Sequence, residues 1–510
     1  MDLELAKEKY LTGDFKLKGE FRSSRGRQTV LSRCEVYAGW TLPTLFPYDG
    51  DETEEMQNDY QSVGAQAVTN LANKIMMALF QPSRPFYKME LSSEQQSELE
   101  ENGLPQAAID KALAAAERQG MKDLDKMNAR VVMTEIIQQL IVCGNALLYI
   151  PPKEGALQGY SLRDYAIRRN LRGEMVRLII RETNGVLALS DELQALALLK
   201  GYREDDEVSL YTGVQRVTND KFLVWQELED LCYCHDRVGW VNEDELNWIP
   251  LAWNIARNKD YGTGLVENYS GDFHSLSTLA ESKLDYTTII TDVKFLVNPT
   301  GMTDVRKISN SASGAYVHGR EEDISTLAAD IAQAGDYLTA SFADVERRIG
   351  VAFLMNSAVT RDAERVTAEE IRMQATELEQ SLGGVYSRLA KELQLPLASR
   401  LMKKQGEIFK DIEPVIVTGL ESLSRSSELD RIRNYFSDLI PLSELPPQVG
   451  EQVDPAKLMA VLGAGHGVDY DKMMRTPEEV QAYRKQIAEQ NAAAAGAEAG
   501  AVSQAQEQPQ

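Results

Sequence analysis

RIGVAFLMNSAVTRDAERVTAEEIRMQATELEQSLGGVYSRLAKELQLPL, residues 348–397, combines a helix start with a long apolar stripe. Thr367-Ala368-Glu369-Glu370 has the pattern of a capping box, in which the Thr and Glu side chains each accept from the other residue's backbone N–H. The apolar positions that follow are spaced by 4, 3, 4, 3 and 4 residues: Ile371, Ala375, Leu378, Leu382, Val385 and Leu389. This spacing predicts a helix over 368–395 with a coiled-coil-like seam, and a bend or a close backbone approach at Gly383-Gly384.

Two further helices precede this segment and enclose a short insert. The first is predicted over 263–298 and should stop before Pro299. Its apolar stripe is Tyr269, Phe273, Leu276, Ala280 and Leu284. The second is predicted over 324–351, with a stripe at Ile324, Leu327, Ile331, Ala334, Leu338, Val345 and Ile349. The polar insert, 299–323, carries a predicted strand at Ala315–His318, so the whole is a helical hairpin with a cap at its tip.

The first 262 residues change from helical to strand periodicity. Helical spacing predicts two helices, one with apolar residues at Leu71, Ile75, Ala78 and Leu79 and one with apolar residues at Val131, Ile136, Leu140 and Ile141. The second helix is predicted to end in a left-handed cap at Gly144-Asn145. Strand patterns follow at 146–150, 165–180 (a hairpin), 208–211, 222–225, 231–234 and 248–251, with a short helix near 190–201. These patterns predict an α+β fold, predominantly helical, with an antiparallel β module.

The charge of the chain argues against tight binding to nucleic acid. The 510 residues have a formal net charge of -24, whereas non-specific DNA binding depends on Lys and Arg neutralising phosphates. The local exception is Lys16–Arg33, where six basic residues face one acid, Glu20. Two interpretations stay open for it, a solvated basic helix face, which we favour, and a nucleic-acid patch.

The sequence predicts a cytosolic chain that does not enter a membrane. It has no run of roughly 20 apolar residues, and its acidic start, Met1-Asp2-Leu3-Glu4, lacks the apolar segment of a secretory signal. Four cysteines in 510 residues do not form a disulfide framework, so reduced thiols are expected.

The sequence motifs give no support for an enzyme. There is no phosphate-binding loop of the NTPase type. Gly463–Gly467 follows a helical pattern instead of a strand, which is the wrong context for dinucleotide binding. Cys232-Tyr233-Cys234-His235 lacks the second ligand pair that structural zinc needs. We therefore predict no catalytic residues, no cofactor and no metal.

The whole pattern of segments resembles one protein family, the head-to-tail connector (portal) proteins of short-tailed bacteriophages of the podovirus, autographivirus-like type. The matches run in one order from about residue 35 to 420: Leu42–Pro47, Val63–Ala65, Ala72–Lys74 with Ala78–Phe80, Gly144-Asn145 with Leu147–Tyr149, Leu296–Pro299, Arg348–Val359, Glu364–Arg372, Leu382–Ser387 and Glu392–Leu397. Residues past 420 resemble the family only loosely.

The resemblance implies a ring of twelve subunits, each built from wing, stem, clip and crown. The wing would be 1–262 with the long helix in 368–420, the stem helices 263–298 and 324–351, the clip 299–323, the tunnel loop 352–367 and the crown 421–490. Residues 491–510, rich in Ala, Gly, Gln and Glu, are predicted to be disordered because they carry little to bury.

The resemblance also implies a function. The ring would sit at one capsid vertex of the virion, would assemble in the host bacterial cytoplasm, and would pass double-stranded DNA non-specifically during packaging and ejection. Implied partners are the terminase large subunit, the tail adaptor (tail tubular) protein, the major capsid protein, the scaffold and internal core proteins.

Three groups of candidate site residues follow from these assignments. The tunnel-loop group is Asn356, Ser357, Val359, Thr360, Arg361, Asp362, Glu364 and Arg365; the channel-facing stem group is Arg347 and Arg348; the docking group in the clip is Thr303, Asp304, Arg306, Lys307, His318 and Arg320. Arg361 and Arg365 have two open roles, contact with DNA phosphates or salt bridges to nearby acids.

Two other functions were weighed against the connector. An internal capsid scaffold or core protein without a channel would explain the acidity and the helices equally well. A Mg²⁺-dependent nuclease would need carboxylates that converge on a metal, which this sequence does not single out.

Overall fold

The computed structural model describes residues 16–46, 59–80, 85–91, 95, 106–152, 155–229, 232–233, 239–291, 294–312, 314–327, 332–355, 384–405 and 412–416. All of them belong to one compact unit, Met1–Gly419. Helices and antiparallel sheets both occur, so the predicted α+β class is confirmed. The predicted crown and C-terminal tail lie outside the described residues.

Five helices and one strand form the N-terminal part of the body: α1 (Leu17–Arg22), α2 (Arg27–Trp40), α3 (Val63–Leu79), β1 (Tyr87–Glu90), α4 (Gln106–Lys126) and α5 (Ala129–Cys143). The predicted stripe of α3 is buried, with Leu71, Ile75 and Leu79 fully inaccessible. On α5 the prediction is wrong for Val131, which is 62% exposed. Five residues before Ile136 places it about 140° around the helix, away from the buried face.

Nine antiparallel strands form two sheets, and one short helix lies between two of these strands in the sequence. They are β2 (Asn145–Tyr149), β3 (Gln158–Tyr160), β4 (Tyr165–Arg169), β5 (Met175–Gly185), α6 (Asp191–Leu199), β6 (Glu207–Arg216), β7 (Lys221–Leu228), β8 (Cys232–Tyr233), β9 (Gly239–Asn242) and β10 (Trp248–Ala252). The larger sheet has the order β4-β5-β6-β7-β8, with β9 also on β7, and the smaller has the order β10-β2-β3. The predicted hairpin and antiparallel module are confirmed.

A helix pair follows the β module. Its elements are α7 (Leu265–Asn268), α8 (Ser270–Thr291), β11 (Lys294–Val297), α9 (Val305–Ser309), β12 (Ile324–Leu327) and α10 (Ala332–Ala352). We call α8 and α10 the helix pair and residues 299–323 the insert. β11 and β12 pair antiparallel, so a two-stranded ribbon joins the helix pair to the insert.

The predicted ends of these two helices are wrong. Residues 294–297 and 324–327 form the ribbon, so α8 ends at Thr291 and α10 begins at Ala332. Both strands are rich in apolar and β-branched residues, and their pairing satisfies backbone groups that two helix ends would leave open. The strand predicted at Ala315–His318 is also wrong, because the backbone there pairs with no strand and Tyr316 is fully exposed.

The last described helix continues beyond its predicted end at Leu395. It comprises α11 (Gly384–Leu389), a π-helical turn (Ala390–Gln394) and α12 (Leu395–Gln405), and β13 (Glu413–Ile416) then pairs with β1. Pro396 removes one backbone donor, and the π turn directly before it accommodates the loss. The predicted seam from Ile371 to Leu382 lies outside the described residues. No helix in the described ranges is both long and apolar enough to cross a bilayer.

Candidate functional site in the helix pair and its insert

α8 and α10 pack closely at Gly335, a position of α10 that has no side chain beyond hydrogen. A Cβ atom on Gly335 would lie 2.6 Å from the hydroxyl oxygen of Tyr286 and 2.9 Å from the ring. Only glycine therefore fits at this point without movement of the Tyr286 side chain. The helix pair is a packed unit, as the predicted hairpin requires.

The helix pair is buried at its base and exposed farther along. Phe273, Leu276 and Ile349 are fully buried in the main hydrophobic core. By contrast, Leu284 is 54% exposed and Tyr337 is 75% exposed. The predicted stripe of α8 thus leaves the core before it ends. Apolar surface that one subunit does not bury is available for contact with another molecule.

The two arginines predicted to face a channel have different surroundings. Arg348 forms an ion pair with Asp272 of α8 at 3.1 Å, so it links the two helices. Arg347 pairs with Asp344 one turn earlier on the same helix at 3.0 Å, and its side chain is 74% exposed. Exposed pairs of this kind contribute little to stability, so Arg347 is the arginine of the two that can exchange partners.

Side chains from α3 hold the C-terminal end of α10. The Asn70 amide donates to the carbonyl oxygens of Phe353 and Leu354, both at 3.2 Å, and the Lys74 ammonium donates to the Leu354 carbonyl at 2.6 Å. These bonds satisfy carbonyl groups that a helix end leaves open. Leu354 has a φ of 56°, a left-handed conformation that is rare for a leucine. The chain therefore leaves α10 in a fixed direction.

The root of the predicted tunnel loop is also packed from the side. The Phe353 ring contacts the rings of Tyr269 and Phe273 edge-on, at centroid distances of 6.0 and 5.5 Å. Residues 352–355 of the loop are described, whereas its candidate residues lie outside the described ranges: Asn356, Ser357, Val359, Thr360, Arg361, Asp362, Glu364 and Arg365. Their roles stay predictions.

The insert is organised around a buried pair, Thr303 and Asp323. Asp323 Oδ2 accepts from the Thr303 backbone N–H at 3.2 Å and from its hydroxyl at 2.7 Å, and the Thr303 hydroxyl oxygen accepts from the Arg320 N–H at 2.9 Å. A Cβ on Gly301 would lie 2.6 Å from the Asp323 carboxylate. Three segments of the insert thus meet at one carboxylate, although sequence analysis did not single out Asp323.

The docking candidates of the insert divide into one buried and five exposed residues. Thr303 is buried and acts inside the insert. Asp304 caps α9 by accepting from the backbone N–H groups of Arg306 and Lys307. The cap leaves those two cationic side chains exposed, and His318 and Arg320 are exposed as well. The exposed residues form the surface that a partner can reach.

The junction between body and helix pair depends on Asn145. Its amide donates to the carbonyl oxygens of Cys143 and Gly262, at 2.8 and 2.9 Å, and its Oδ1 accepts from the Gly262 N–H at 2.7 Å. Gly144 ends α5 with a φ of 72°, so the predicted left-handed cap is confirmed. The Gly-Asn pattern revealed the cap, but not the bonds to a segment over 100 residues away.

The described part of the chain holds no group of three or more His, Cys, Asp or Glu side chains placed to bind a metal ion. The site is thus made of packing surface, a helix end and an insert of exposed cations.

Comparisons with known proteins identify the family of this chain. Residues 20–474 match the family model of the bacteriophage head to tail connecting protein. The portal protein of Enterobacteria phage SP6 is 35% identical over 441 residues, covering 84% of each chain. The portal protein of Enterobacteria phage T3 is 34% identical, and the match covers 93% of this chain and 91% of that protein. The portal protein of Escherichia phage T7 is 32% identical, and the match covers 90% of this chain and 88% of that protein. Among solved structures, a chain in the neck of an empty gene transfer agent (GTA) particle superposes with a TM-score of 0.39 at 12% identity. The superposition covers 79% of this chain and 90% of that chain.

The family model and the phage relatives define the class of protein as a connector of the phage virion. The chain belongs to the bacteriophage head to tail connecting protein family, as a portal (connector) subunit. The resemblance predicted from the sequence is confirmed.

Proposed function

We propose that twelve copies of this chain form a ring at one capsid vertex, with an axial channel for double-stranded DNA. DNA enters through this channel during packaging and leaves through it during ejection. The ring assembles in the host bacterial cytoplasm and becomes part of the virion. Identity to the portal proteins of three phages over most of the chain supports this proposal.

The domain assignment is part of the same proposal. Residues 1–262 and 368–420 form the wing, the helix pair within 263–298 and 324–351 the stem, 299–323 the clip, 352–367 the tunnel loop and 421–490 the crown. Two structural boundaries between these segments support the assignment. The ribbon separates the insert from the helix pair, and the Asn70 and Lys74 contacts mark where the loop begins.

The observation that carries the ring is the exposed apolar surface of the helix pair. Leu284 and Tyr337 face solvent in a single subunit, and burial of such side chains contributes about 1.5–3 kcal/mol each. Side-by-side contact between neighbouring helix pairs buries this surface. An open hole at the axis then follows from the ring.

The charge of the chain suits DNA that slides. With a net charge of -24 the subunit does not grip duplex over a long footprint. Arg347 and Arg348 face the channel in this proposal, and each already has an acidic partner, so contacts with phosphates stay weak and carry no sequence information. Arg361 and Arg365 of the tunnel loop act in the same way.

The exposed Arg, Lys and His side chains of the insert are the docking surface. Arg306, Lys307, His318 and Arg320 bind first the terminase large subunit and later the tail adaptor (tail tubular) protein. The wing and the crown contact the major capsid protein, the scaffold and the internal core proteins. The chain itself catalyses nothing, and the terminase supplies the energy from ATP.

Electron microscopy of the purified protein tests the ring. We expect rings with a central hole, and we expect Leu284→Glu with Tyr337→Glu to give folded single subunits. Val131→Glu, at another exposed apolar position outside the helix pair, should leave the rings intact. A wild-type protein that stays a single copy at all concentrations would overturn the proposal.

The tunnel loop has a separate test. Deletion of residues 356–363 should leave the rings intact and reduce DNA packaging or retention. Normal yields of filled heads would exclude the loop as a functional element.

A further inference from the structure

A polar cavity of about 320 Å³ lies between the N-terminal helices and the larger sheet. Four of its lining residues are arginines: Arg22 and Arg27 from the N-terminal segment, Arg163 before β4, and Arg181 in β5. The lining contains one acid, Glu35. Such a concentration of cations is unexpected in a chain with a net charge of -24.

Two of these guanidinium groups are held close together. Arg27 Nη2 donates to the Arg163 carbonyl at 2.6 Å, and Arg181 Nη2 donates to the same oxygen at 3.5 Å. Both groups also lie over the Phe21 ring, with centroid distances of 4.1 Å for Arg27 and 5.3 Å for Arg181. The backbone and one aromatic ring therefore fix the position of two like charges.

Arg27 is held by hydrogen bonds to three backbone carbonyl oxygens. Its Nε donates to the carbonyl oxygens of Leu162 and Tyr165, at 3.2 and 3.0 Å. Burial lowers the pKa of Arg27, and the neighbouring Arg181 cation also lowers it, whereas Tyr261, Asp164 and Tyr165 oppose this shift. An anion in the cavity would stabilise both cations.

The lining of the cavity contains one carboxylate beside its four arginines. Glu35 Oε1 accepts from Arg163 Nη2 at 2.8 Å, so this acid is already engaged. Asp164 acts on Arg27 from outside the lining. Arg22 is exposed at the cavity and has no ion pair within the described ranges.

We infer that this cavity is a phosphate-binding site of the wing. Guanidinium groups match the oxygen atoms of a phosphate in charge and in hydrogen-bond geometry. The volume is at the lower end of ligand cavities, which suits one phosphate group and not a large organic ligand. The phosphate is either a free ion or a phosphodiester of duplex DNA. The site lies in the N-terminal body, apart from the helix pair, and the inference does not depend on the channel.

The test compares one pair of variants with one matched control. Arg22→Gln with Arg181→Gln removes two cavity charges and leaves the more deeply bonded Arg27 in place. Arg25→Gln with Arg172→Gln removes two exposed charges outside the lining. Binding is measured by calorimetry with inorganic phosphate and by fluorescence anisotropy with a short DNA duplex, both at constant ionic strength. Circular dichroism checks that each variant is folded.

Two results support the inference and one overturns it. If phosphate binds wild type and control, and the cavity variant binds about tenfold more weakly, the ligand is the free ion. If phosphate binds none of them but the cavity variant alone loses DNA affinity, the ligand is a phosphodiester. Equal behaviour of cavity variant and control in both arms overturns the inference. If the double variant does not fold, Arg22→Gln against Arg25→Gln gives the same comparison. These binding measurements do not require the protein to form rings. A failure of ring formation would therefore contradict the proposed function and not this inference.

Discussion

Asp323 holds Thr303 by two hydrogen bonds to a single carboxylate oxygen, and both residues are buried in an otherwise exposed insert. The bonds connect the end of the insert to its beginning. Local order in the insert therefore depends on one acid, because the described part of the insert contributes few other buried side chains.

Asp323→Ala should loosen the insert without unfolding the subunit. Loss of a buried hydrogen-bonded carboxylate costs about 2 kcal/mol, and the cost falls on a segment that can open by itself. We expect faster amide hydrogen exchange in 299–323 and unchanged exchange in α5. Glu322→Ala, at an exposed neighbouring acid, is the control. Equal exchange in the two variants would mean that the carboxylate does not order the insert.

Asn70→Ala should weaken the end of α10. The change removes two bonds to the carbonyl groups of Phe353 and Leu354, at an expected cost of about 1–2 kcal/mol in the free energy of unfolding. Urea denaturation of the variant measures this cost. Asn73→Ala, three residues along the same helix and exposed, should change stability by less than about 0.5 kcal/mol. If both variants were equally stable, the Asn70 contacts would not matter for folding.

Two glycine substitutions should have opposite effects on the helix pair. Gly335→Ala places a methyl group against Tyr286 and should destabilise the subunit by about 1–3 kcal/mol. Gly271→Ala, where nothing lies within 4 Å, should stabilise α8 by about 0.5–1 kcal/mol. Thermal denaturation distinguishes them. A stabilising effect at Gly335 would contradict the close packing of the two helices.

Alkaline pH should destabilise the protein partly through Tyr87. Burial raises the pKa of Tyr87 from 10.0 to about 12, so between these values the folded protein keeps a proton that the unfolded chain loses. Folding stability therefore falls as pH rises through this window, by at most about 1.4 kcal/mol per pH unit.

The Tyr87→Phe variant isolates this contribution. Its stability should fall less steeply between pH 10 and 12 than that of the wild type. Tyr60→Phe, at a 59% exposed tyrosine, should follow the wild type. Identical curves for Tyr87→Phe and wild type in urea denaturation at each pH would show that the Tyr87 proton is not involved.

Local patterns predicted much of the described fold. Burial of Ile75 and Ile136 follows from helical spacing, and the cap at Gly144 follows from its residue type. Five strands of the larger sheet, β4 to β8, also lie where the sequence predicted them, whereas β9 was not predicted. In each case neighbours along the chain decide the structure, so a single sequence contains the information.

Contacts between distant segments were not predictable in this way. Asn70 and Leu354 are 284 residues apart, and nothing in either segment identifies the other. Residues 294–297 and 324–327 form the strands β11 and β12 although their sequence pattern is helical, because each strand supplies the backbone hydrogen-bond partners of the other. Pro396 looked like a helix end, and only the π turn before it explains why the helix continues. The phosphate cavity likewise joins arginines that the sequence separates.

One continuous helix connects the two ends of the candidate site. α10 has 21 residues and is about 30 Å long, with the ribbon just before its first turn and the Leu354 corner directly after its last. Because the helix is unbroken, a rotation of one end about the helix axis also turns the other end. A rotation of α10 at its ribbon end would therefore act on the bonds by which Asn70 and Lys74 hold the Leu354 carbonyl at the other end.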